Sequence, residues 1–314
     1  MINKKHLVLT HADLDGVVSS INVYNILKNN AFNFQYIVTG YNTLDKKLKN
    51  LNREEYDILW ITDLNLSKDN IKYLPTDKHI IWIDHHSYEY DVYEATKHLN
   101  IKIIHKKDDS SSMISFEYIN EHYKLSNNVY NLSLYADTYD TWKLTSKIWK
   151  QAYALNDLFW HYGYEKFFVN FRNGLYFKNE DLSAIEDVNK QRNEYIKDTL
   201  EKYIIFNEKF KIIYILNPQC KYINHFPLGL YDVDHFIIMK SFDKKSFSYS
   251  VRLYNSCPDL TVNNLFDKVK EQGVNVLISG GNSRVGSITV SYEDNEKFLE
   301  VLNNILEGEL TNAK

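Results

Sequence analysis

The sequence predicts a two-domain α/β protein: a parallel sheet with helices on both faces, joined by a helical connector to a smaller α/β domain. Three observations carry this. Short apolar runs alternate with helical patterns through the first half. Unusual polar residues fall at the ends of those runs. A charged stretch without Pro or Gly then separates this half from one with a different pattern.

In order along the chain, "HLVLT" (6–10), "FQYIVTG" (34–40), "YDILWIT" (56–62) and "KHIIWID" (78–84) read as buried strands. "GVVSSINVYNILKNN" (16–30) and "SSMISFEYINEHY" (111–123) carry apolar residues at helical spacing. Strands alternating with helices argue for a parallel sheet covered by helices. Ligands of such sheets collect at the carboxyl ends of the strands. The segment 179–202 reads as a solvated connecting helix. Beyond it, "FKIIYIL" (210–216), "HFIIMKSF" (235–242), "SFSYSVRLY" (246–254) and "VNVLIS" (274–279) read as strands, with a helix over 260–273. The expected boundaries are 1–184 for the first domain, 185–205 for the connector and 206–314 for the second domain.

Composition bounds the function. The chain has 314 residues, a 25% charged fraction and a formal net charge of -4. There is no global basic field of the kind long duplex nucleic acid calls for. Cys220 and Cys257 make no disulfide framework and read as reduced thiols. The N-terminus has no apolar run long enough for a signal peptide, and no segment approaches a membrane span. These points lead to an expectation of a soluble, cytoplasmic protein with no membrane partner.

The polar residues at the strand ends form a first constellation. His11, Asp13 and Asp15 follow the first run, Asp63 ends the third, and Asp84-His85-His86 ends the fourth. "LYADTYDTW" adds Asp137 and Asp140. Carboxylates this close repel and cost folding energy unless a cation sits among them. Imidazoles outnumbered by carboxylates suit Mn²⁺ better than a thiolate-type zinc centre. Two-metal sites are built for in-line displacement at phosphorus. Taken singly, Asp63 reads as a turn former, and Asp13 or Asp15 as a cap for the helix near Gly16. Their co-occurrence at successive strand ends outweighs those readings.

In that order, "HADLDG", "TDL", "DHH" and the later Asp motif resemble the four motifs of the DHH phosphoesterase superfamily. "HADLDG" and "YDTW" look closest to its oligoribonuclease-type (nanoRNase) members. The resemblance implies a phosphoesterase with two Mn²⁺ ions, for which Mg²⁺ or Co²⁺ could substitute. On that pattern His11, Asp13 and Asp63 hold one ion. Asp15, Asp63, His85 and the motif-four Asp hold the other, with Asp63 bridging. Asp84 would orient a histidine, and His86 would face the substrate phosphate as a donor. Asp137 in "ADT" and Asp140 in "DTW" compete for the last ligand position, with Asp137 slightly preferred.

A second constellation lies in "SGGNSRVGSITV" (279–290). The chain has only ten glycines, and three of them, Gly280, Gly281 and Gly286, crowd here between two strands. Such glycines read as backbone approaching a ligand closely, or as a plain turn. Arg252 lies on the strand upstream and offers a planar fork for phosphate or a base. Arg252 with Gly280 and Gly281 resembles the C-terminal domain that accompanies DHH domains and grips nucleotides. The family's His after the glycine pair is replaced here by Asn282, followed by Ser283 and Arg284. The departure bears on the substrate more than on the chemistry.

The expected activity is therefore hydrolysis of short oligonucleotides to mononucleotides, with the substrate lying in an interdomain cleft. The alternatives are a small nucleotide substrate (a cyclic dinucleotide or a 3′-phosphoadenosine nucleotide) and a protein that sequesters a nucleotide without cleaving it. The residues leave open RNA or DNA, cleavage direction, and oligomeric state, a homodimer included.

Overall fold

The computed structural model describes residues 4–28, 33–88, 90–143, 145–206, 211–215, 235–243, 245–253, 260–281 and 284–312. The chain divides into two compact units, Met1–Val188 and Asn189–Lys314.

In the first unit β1 (His6–His11), β2 (Phe34–Thr39), β3 (Ile58–Thr62), β4 (His79–Asp84) and β5 (Ile101–His105) form a parallel sheet in the order β2-β1-β3-β4-β5. Around it lie α1 (Leu14–Ile26), α2 (Tyr41–Lys49), α3 (Lys68–Ile71), α4 (Val92–Thr96), α5 (Ser111–Tyr123), α6 (Asn127–Asp140) and α7 (Trp149–Phe171). Strand residues alternate between faces, and two separate cores follow. Leu7, Leu9, Leu59, Ile61, Ile80 and Trp82 pack with α2, α3 and α4 residues such as Leu44, Ile71 and Val92. Val8, Trp60, Ile81 and Ile83 pack with Val23 of α1 and Ile114 of α5. Helices on both faces are thus a direct product of the period-two pattern.

The two central tryptophans are fully buried, one in each core, and each has its indole N–H satisfied. Trp60 donates to His6 Nδ1 at 2.9 Å. Trp82 donates to the Leu64 carbonyl at 3.0 Å, which ties β4 to the turn leaving β3. Sealing large rings with their polar atom paired combines apolar burial with no stranded donor.

Helix α8 (Asn179–Tyr203) spans the predicted connector. It is less solvated than its charge implies: Asp181, Ala184, Val188 and Arg192 form a buried stripe at helical spacing. Asp181 accepts from the Tyr162 hydroxyl at 2.8 Å and the Lys178 N–H at 2.7 Å.

The second unit is built on β6 (Ile204–Phe206), β7 (Lys211–Ile215), β8 (His235–Asp243), β9 (Ser246–Leu253), β10 (Val276–Gly281) and β11 (Val285–Ser291). Their order is β10-β11-β9-β8-β7-β6, antiparallel except for the β7–β8 pair. Helices α9 (Val262–Glu271) and α10 (Asn295–Asn312) contribute Leu265, Phe266, Phe298 and Leu302 to a core with Tyr249, Val251, Ile288 and Val290. Among the described residues no helix is long and apolar enough to cross a membrane.

Candidate metal centre

The site is assembled where β1, β3 and β4 end. Asp13 is the N-cap of α1, and its Oδ1 accepts from the Gly16 N–H at 2.9 Å. Its Oδ2 lies 2.6 Å from His11 Nδ1. The "HADLDG" turn is tight enough to require its glycine: a Cβ at Gly16 would stand 2.3 Å from the His11 carbonyl oxygen.

Asp63 leaves β3 with φ of 58°, a left-handed conformation that Asp tolerates better than most residues. Its N–H still bonds the Ile83 carbonyl at 3.0 Å, so the backbone stays in the sheet while the chain turns. Asp63 Oδ2 stands 3.6 Å from His11 Nδ1, and Oδ1 stands 3.4 Å from His85 Nε2. The same His85 nitrogen is 3.6 Å from Asp140 Oδ2. Asp15 is buried, and both of its oxygens accept backbone N–H groups at the start of α5, from Ser111 and Ser112, each at 2.8 Å. His86 Nδ1 pairs with fully buried Asp84 at 2.7 Å.

These contacts resolve into donor groups whose atoms lie within 4.8 Å of one another: His11, Asp13 and Asp63; Asp15, His85 and Asp140; and Asp63 with Asp84, His85 and His86. Asp63 belongs to two of the groups and touches the third through His85.

Asp137 is elsewhere. Its Oδ1 accepts the Ser110 N–H at 2.9 Å and its Oδ2 pairs with Lys143 Nζ at 2.5 Å. The preference for Asp137 is therefore corrected: the structure brings Asp140 to His85 and commits Asp137 to a cation of its own. The turn after α6 decides this. Lys143 N–H bonds the Thr138 carbonyl and Trp142 N–H bonds the Tyr139 carbonyl, a Schellman arrangement with Trp142 at φ 58° where glycine is usual. That turn places Lys143 over Asp137 and leaves Asp140 at the helix end.

The electrostatics follow from carboxylates in excess. Burial works against charge on His11 and His85, yet Asp13, Asp63 and Asp140 outweigh it and push both imidazoles up to about 11. Burial alone would raise Asp63, but the two imidazoles hold it below the ordinary carboxylate range. Asp140 is pushed up to about 7 by burial, with Asp63 and Asp13 adding and His85 opposing. Asp13 and Asp15 are also raised, by burial first and then by Asp63. The site holds protons where a cation would serve. Asp63 Oδ2 is moreover buried without a hydrogen-bond donor. Oxygen and imidazole donors around such an orphaned oxygen fit a hard or borderline divalent ion.

Residues 5–139 match the DHH family, N-terminal domain. The match lies within the N-terminal unit. No curated protein sequence matches the chain. Solved structures share its fold at low identity. A DHH-domain protein described as a member of a family of ribosomal proteins has a TM-score of 0.70 at 12% identity, over 96% of this chain and 86% of its own. RecJ from Thermus thermophilus, in complex with Mn²⁺, has a TM-score of 0.57 at 11% identity, over 96% of this chain and 52% of its own. The pGpG-specific phosphodiesterase PggH from Vibrio cholerae has a TM-score of 0.51 at 14% identity, over 98% of this chain and 100% of its own.

In the second unit Arg252 sits on β9, in register with Phe236 of β8 and Val285 of β11. The Leu253 N–H bonds the Arg284 carbonyl at 2.8 Å. Asn282 and Ser283 lie outside the described residues, as do Cys220 and Cys257. Gly280 and Gly281 end β10 rather than lying in a loop, and Gly281 pairs with Gly286. A Cβ at Gly281 would stand 2.3 Å from the Val285 carbonyl oxygen, so hairpin packing explains that glycine without a ligand. Gly280 faces open space.

Two residues around these donor groups carry no motif. His105 Nε2 bonds the His86 carbonyl at 2.7 Å from the end of β5. Tyr41 lies against His11 with ring centroids 5.3 Å apart. A lone His or Tyr gives no sequence signal of this kind; the parallel register of β4 and β5, which pairs Asp84 with His105, is what reveals the first.

Proposed function

We propose that this protein is a metal-dependent phosphodiesterase that hydrolyses short oligonucleotides to mononucleotides. The observation that carries the reading is a pair of donor groups on either side of Asp63. His11, Asp13 and Asp63 would hold one cation, and Asp15, His85 and Asp140 the other, with Asp63 reaching both. Mn²⁺ suits this donor set, and Mg²⁺ or Co²⁺ share its preference for oxygen and imidazole. A bound pair of ions supplies Lewis acidity toward phosphorus and lowers the pKa of water.

The chain's own residues do the rest. Ser111 and Ser112 N–H groups fix the plane of the Asp15 carboxylate. Asp84 holds His86 Nδ1 and so aims the opposite nitrogen. Burial opposes charge on His86, but Asp84 raises its pKa, favouring an imidazolium that donates from Nε2 to a phosphate oxygen. Arg252, Gly280, Gly281, Asn282, Ser283 and Arg284 are proposed to recognise the nucleotide. The net charge of -4 agrees with short substrates, since long polymers gain affinity from many phosphate contacts. A cytoplasmic setting belongs to the same reading.

The test is release of mononucleotides from end-labelled substrates, from a dinucleotide upward in length, with Mn²⁺ or with chelator. Mn²⁺-dependent cleavage strongest on the shortest substrates is expected, and Asp63→Ala should lower it by several orders of magnitude with the fold intact. Cleavage of a cyclic dinucleotide or a 3′-phosphoadenosine nucleotide in preference would establish the small-nucleotide alternative. Nucleotide binding by Mn²⁺-loaded protein without any hydrolysis would replace the enzyme reading with sequestration.

A further inference from the structure

Tyr41 is the first residue of α2, and the turn before it is pinned by hydroxyls. Thr39 Oγ1 donates to the Gly40 carbonyl at 3.1 Å and shares a hydrogen bond with Thr43 Oγ1 at 3.0 Å. Thr43 returns both its N–H, at 3.0 Å, and its hydroxyl, at 3.1 Å, to the same carbonyl. The ring then meets two residues of the centre. Its centroid lies 5.3 Å from that of His11 and 6.4 Å from that of His86, edge-on at 85°. At its far end the hydroxyl accepts the Asn65 N–H at 3.4 Å, and Asn65 Nδ2 donates to the Ser87 carbonyl at 3.1 Å. The ring is thus tied to the turn that carries Asp63 and to the one that carries His85 and His86.

A tyrosine held in this way would ordinarily be buried. Tyr41 is instead 49% exposed. A large ring, fixed at its base and tip and open on one side beside a cluster of carboxylates and imidazoles, is not filling a core. What it offers is a rigid π-surface next to the place where a phosphate would meet His86. Every nucleobase has a π-face, and aromatic side chains stack on bases without regard to sequence.

We propose that Tyr41 is the stacking surface for the base of the nucleotide whose phosphate lies at His86. This rests on the phosphodiesterase reading for the position of the phosphate. It deepens that reading by naming what the centre selects: nucleotides rather than base-free phosphate esters or pyrophosphate. The recognition comes from the DHH domain itself and is additional to anything Arg252 contributes.

The test compares a dinucleotide with its fully abasic counterpart, using wild type, Tyr41→Ala and Tyr41→Phe in Mn²⁺. Stacking on an aromatic residue is worth about 1–3 kcal/mol per base, or roughly 5- to 150-fold. Tyr41→Ala should lower kcat/KM on the dinucleotide by a factor in that range, mainly through KM, with the loss confined to the base-bearing substrate. Tyr41→Phe should restore it, because the ring and not the hydroxyl makes the contact. Equal loss on both substrates would show that Tyr41 merely supports His11, and failure of Phe to rescue would assign the effect to the hydroxyl. Either result, or no loss at all, overturns the proposal. If the wild type cleaves neither substrate, the phosphodiesterase reading fails on its own. Calorimetric binding of the two compounds to Mn²⁺-loaded wild type and Tyr41→Ala then decides stacking: a loss of affinity confined to the base-bearing compound supports it, and equal affinities or no binding overturn it.

Discussion

The two units of this chain handle polarity in opposite ways. At the edge of the first sheet, Asp15, Asp63 and Asp84 are buried, with Asp13, Asp140 and three imidazoles packed around them. The described core of the second unit is built from apolar side chains, from Tyr249 on β9 to Leu306 on α10, and the buried polar residues described there are Arg192 and Ser246. Taking a carboxylate out of water costs several kcal/mol even after relaxation, unless a partner compensates it. Three imidazoles cannot neutralise five carboxylates. The first sheet is therefore destabilised at its edge by residues its fold does not need, while among the described residues of the second unit no carboxylate is buried. A conflict of this kind marks the chemistry.

The largest expected effect that could break the comparison involves two aspartates of one helix. Asp140→Asn should strip metal from the group containing His85, with the metal-free protein no less stable, and more stable where Asp140 would be ionised. Asp137→Ala should do the reverse. It leaves the buried Ser110 N–H without an acceptor, which costs about 1–3 kcal/mol, and releases Lys143, while the cluster keeps its donors. Metal content and unfolding midpoints of both purified variants check this. Loss of metal in Asp137→Ala with an unchanged midpoint would return the ligand to Asp137.

A smaller effect concerns pH. Asp140, at about 7 in the folded chain against 3.8 ordinarily, keeps a proton that the unfolded chain releases. The metal-free protein thus becomes less stable as pH rises between those values. His11 and His85, at about 11 against 6.5, act with the same sign: their stabilising charge is complete below 6.5 and is lost toward 11. A bound cation needs the carboxylates deprotonated, so it competes with these protons and binds more tightly as pH rises through about 7. Ligand at a hundredfold excess over Kd stabilises by about 2.7 kcal/mol. Thermal unfolding from about pH 5 to about pH 9 should show the metal-free midpoint falling and the gap to the Mn²⁺-loaded protein widening. A gap constant across that range would mean that metal and protons do not share the same oxygens.

Much of this was legible before the structure, for reasons that differ by region. Buried parallel strands announce themselves as apolar runs, so β1, β3 and β4 and the Asp and His residues at their ends were readable. β5 was not, because "IKIIH" is short and interrupted by Lys102. The choice between Asp137 and Asp140 was beyond spacing, since residues three apart share a helix face. A turn with Trp142 at positive φ and the reach of Lys143 separate their surroundings, and neither is a pattern. Tyr41 is one of 25 tyrosines, and nothing local distinguishes it. The glycines of the second unit were visible, but for Gly281 a close hairpin requires the glycine by itself, and spacing does not show that.

That last distinction gives the smallest effect and the sharpest contrast between neighbours. Gly281→Ala must push against the Val285 carbonyl oxygen at 2.3 Å and the Gly286 Cα at 2.4 Å, both backbone atoms that cannot swing away. The β10–β11 hairpin should distort and the unfolding midpoint of the second unit should drop. Gly280→Ala meets nothing within 4 Å and requires no left-handed backbone. Removing a glycine where the backbone is unstrained restricts the unfolded chain and stabilises by about 0.4–1 kcal/mol. If Gly280 is open because a nucleotide approaches its backbone, Gly280→Ala should raise KM for the dinucleotide while the midpoint holds or rises slightly. Unchanged KM together with the stabilisation would show that the opening at Gly280 serves no ligand. Nucleotide recognition by the second unit would then rest on Arg252, Gly281 and Arg284 among the described residues proposed for it.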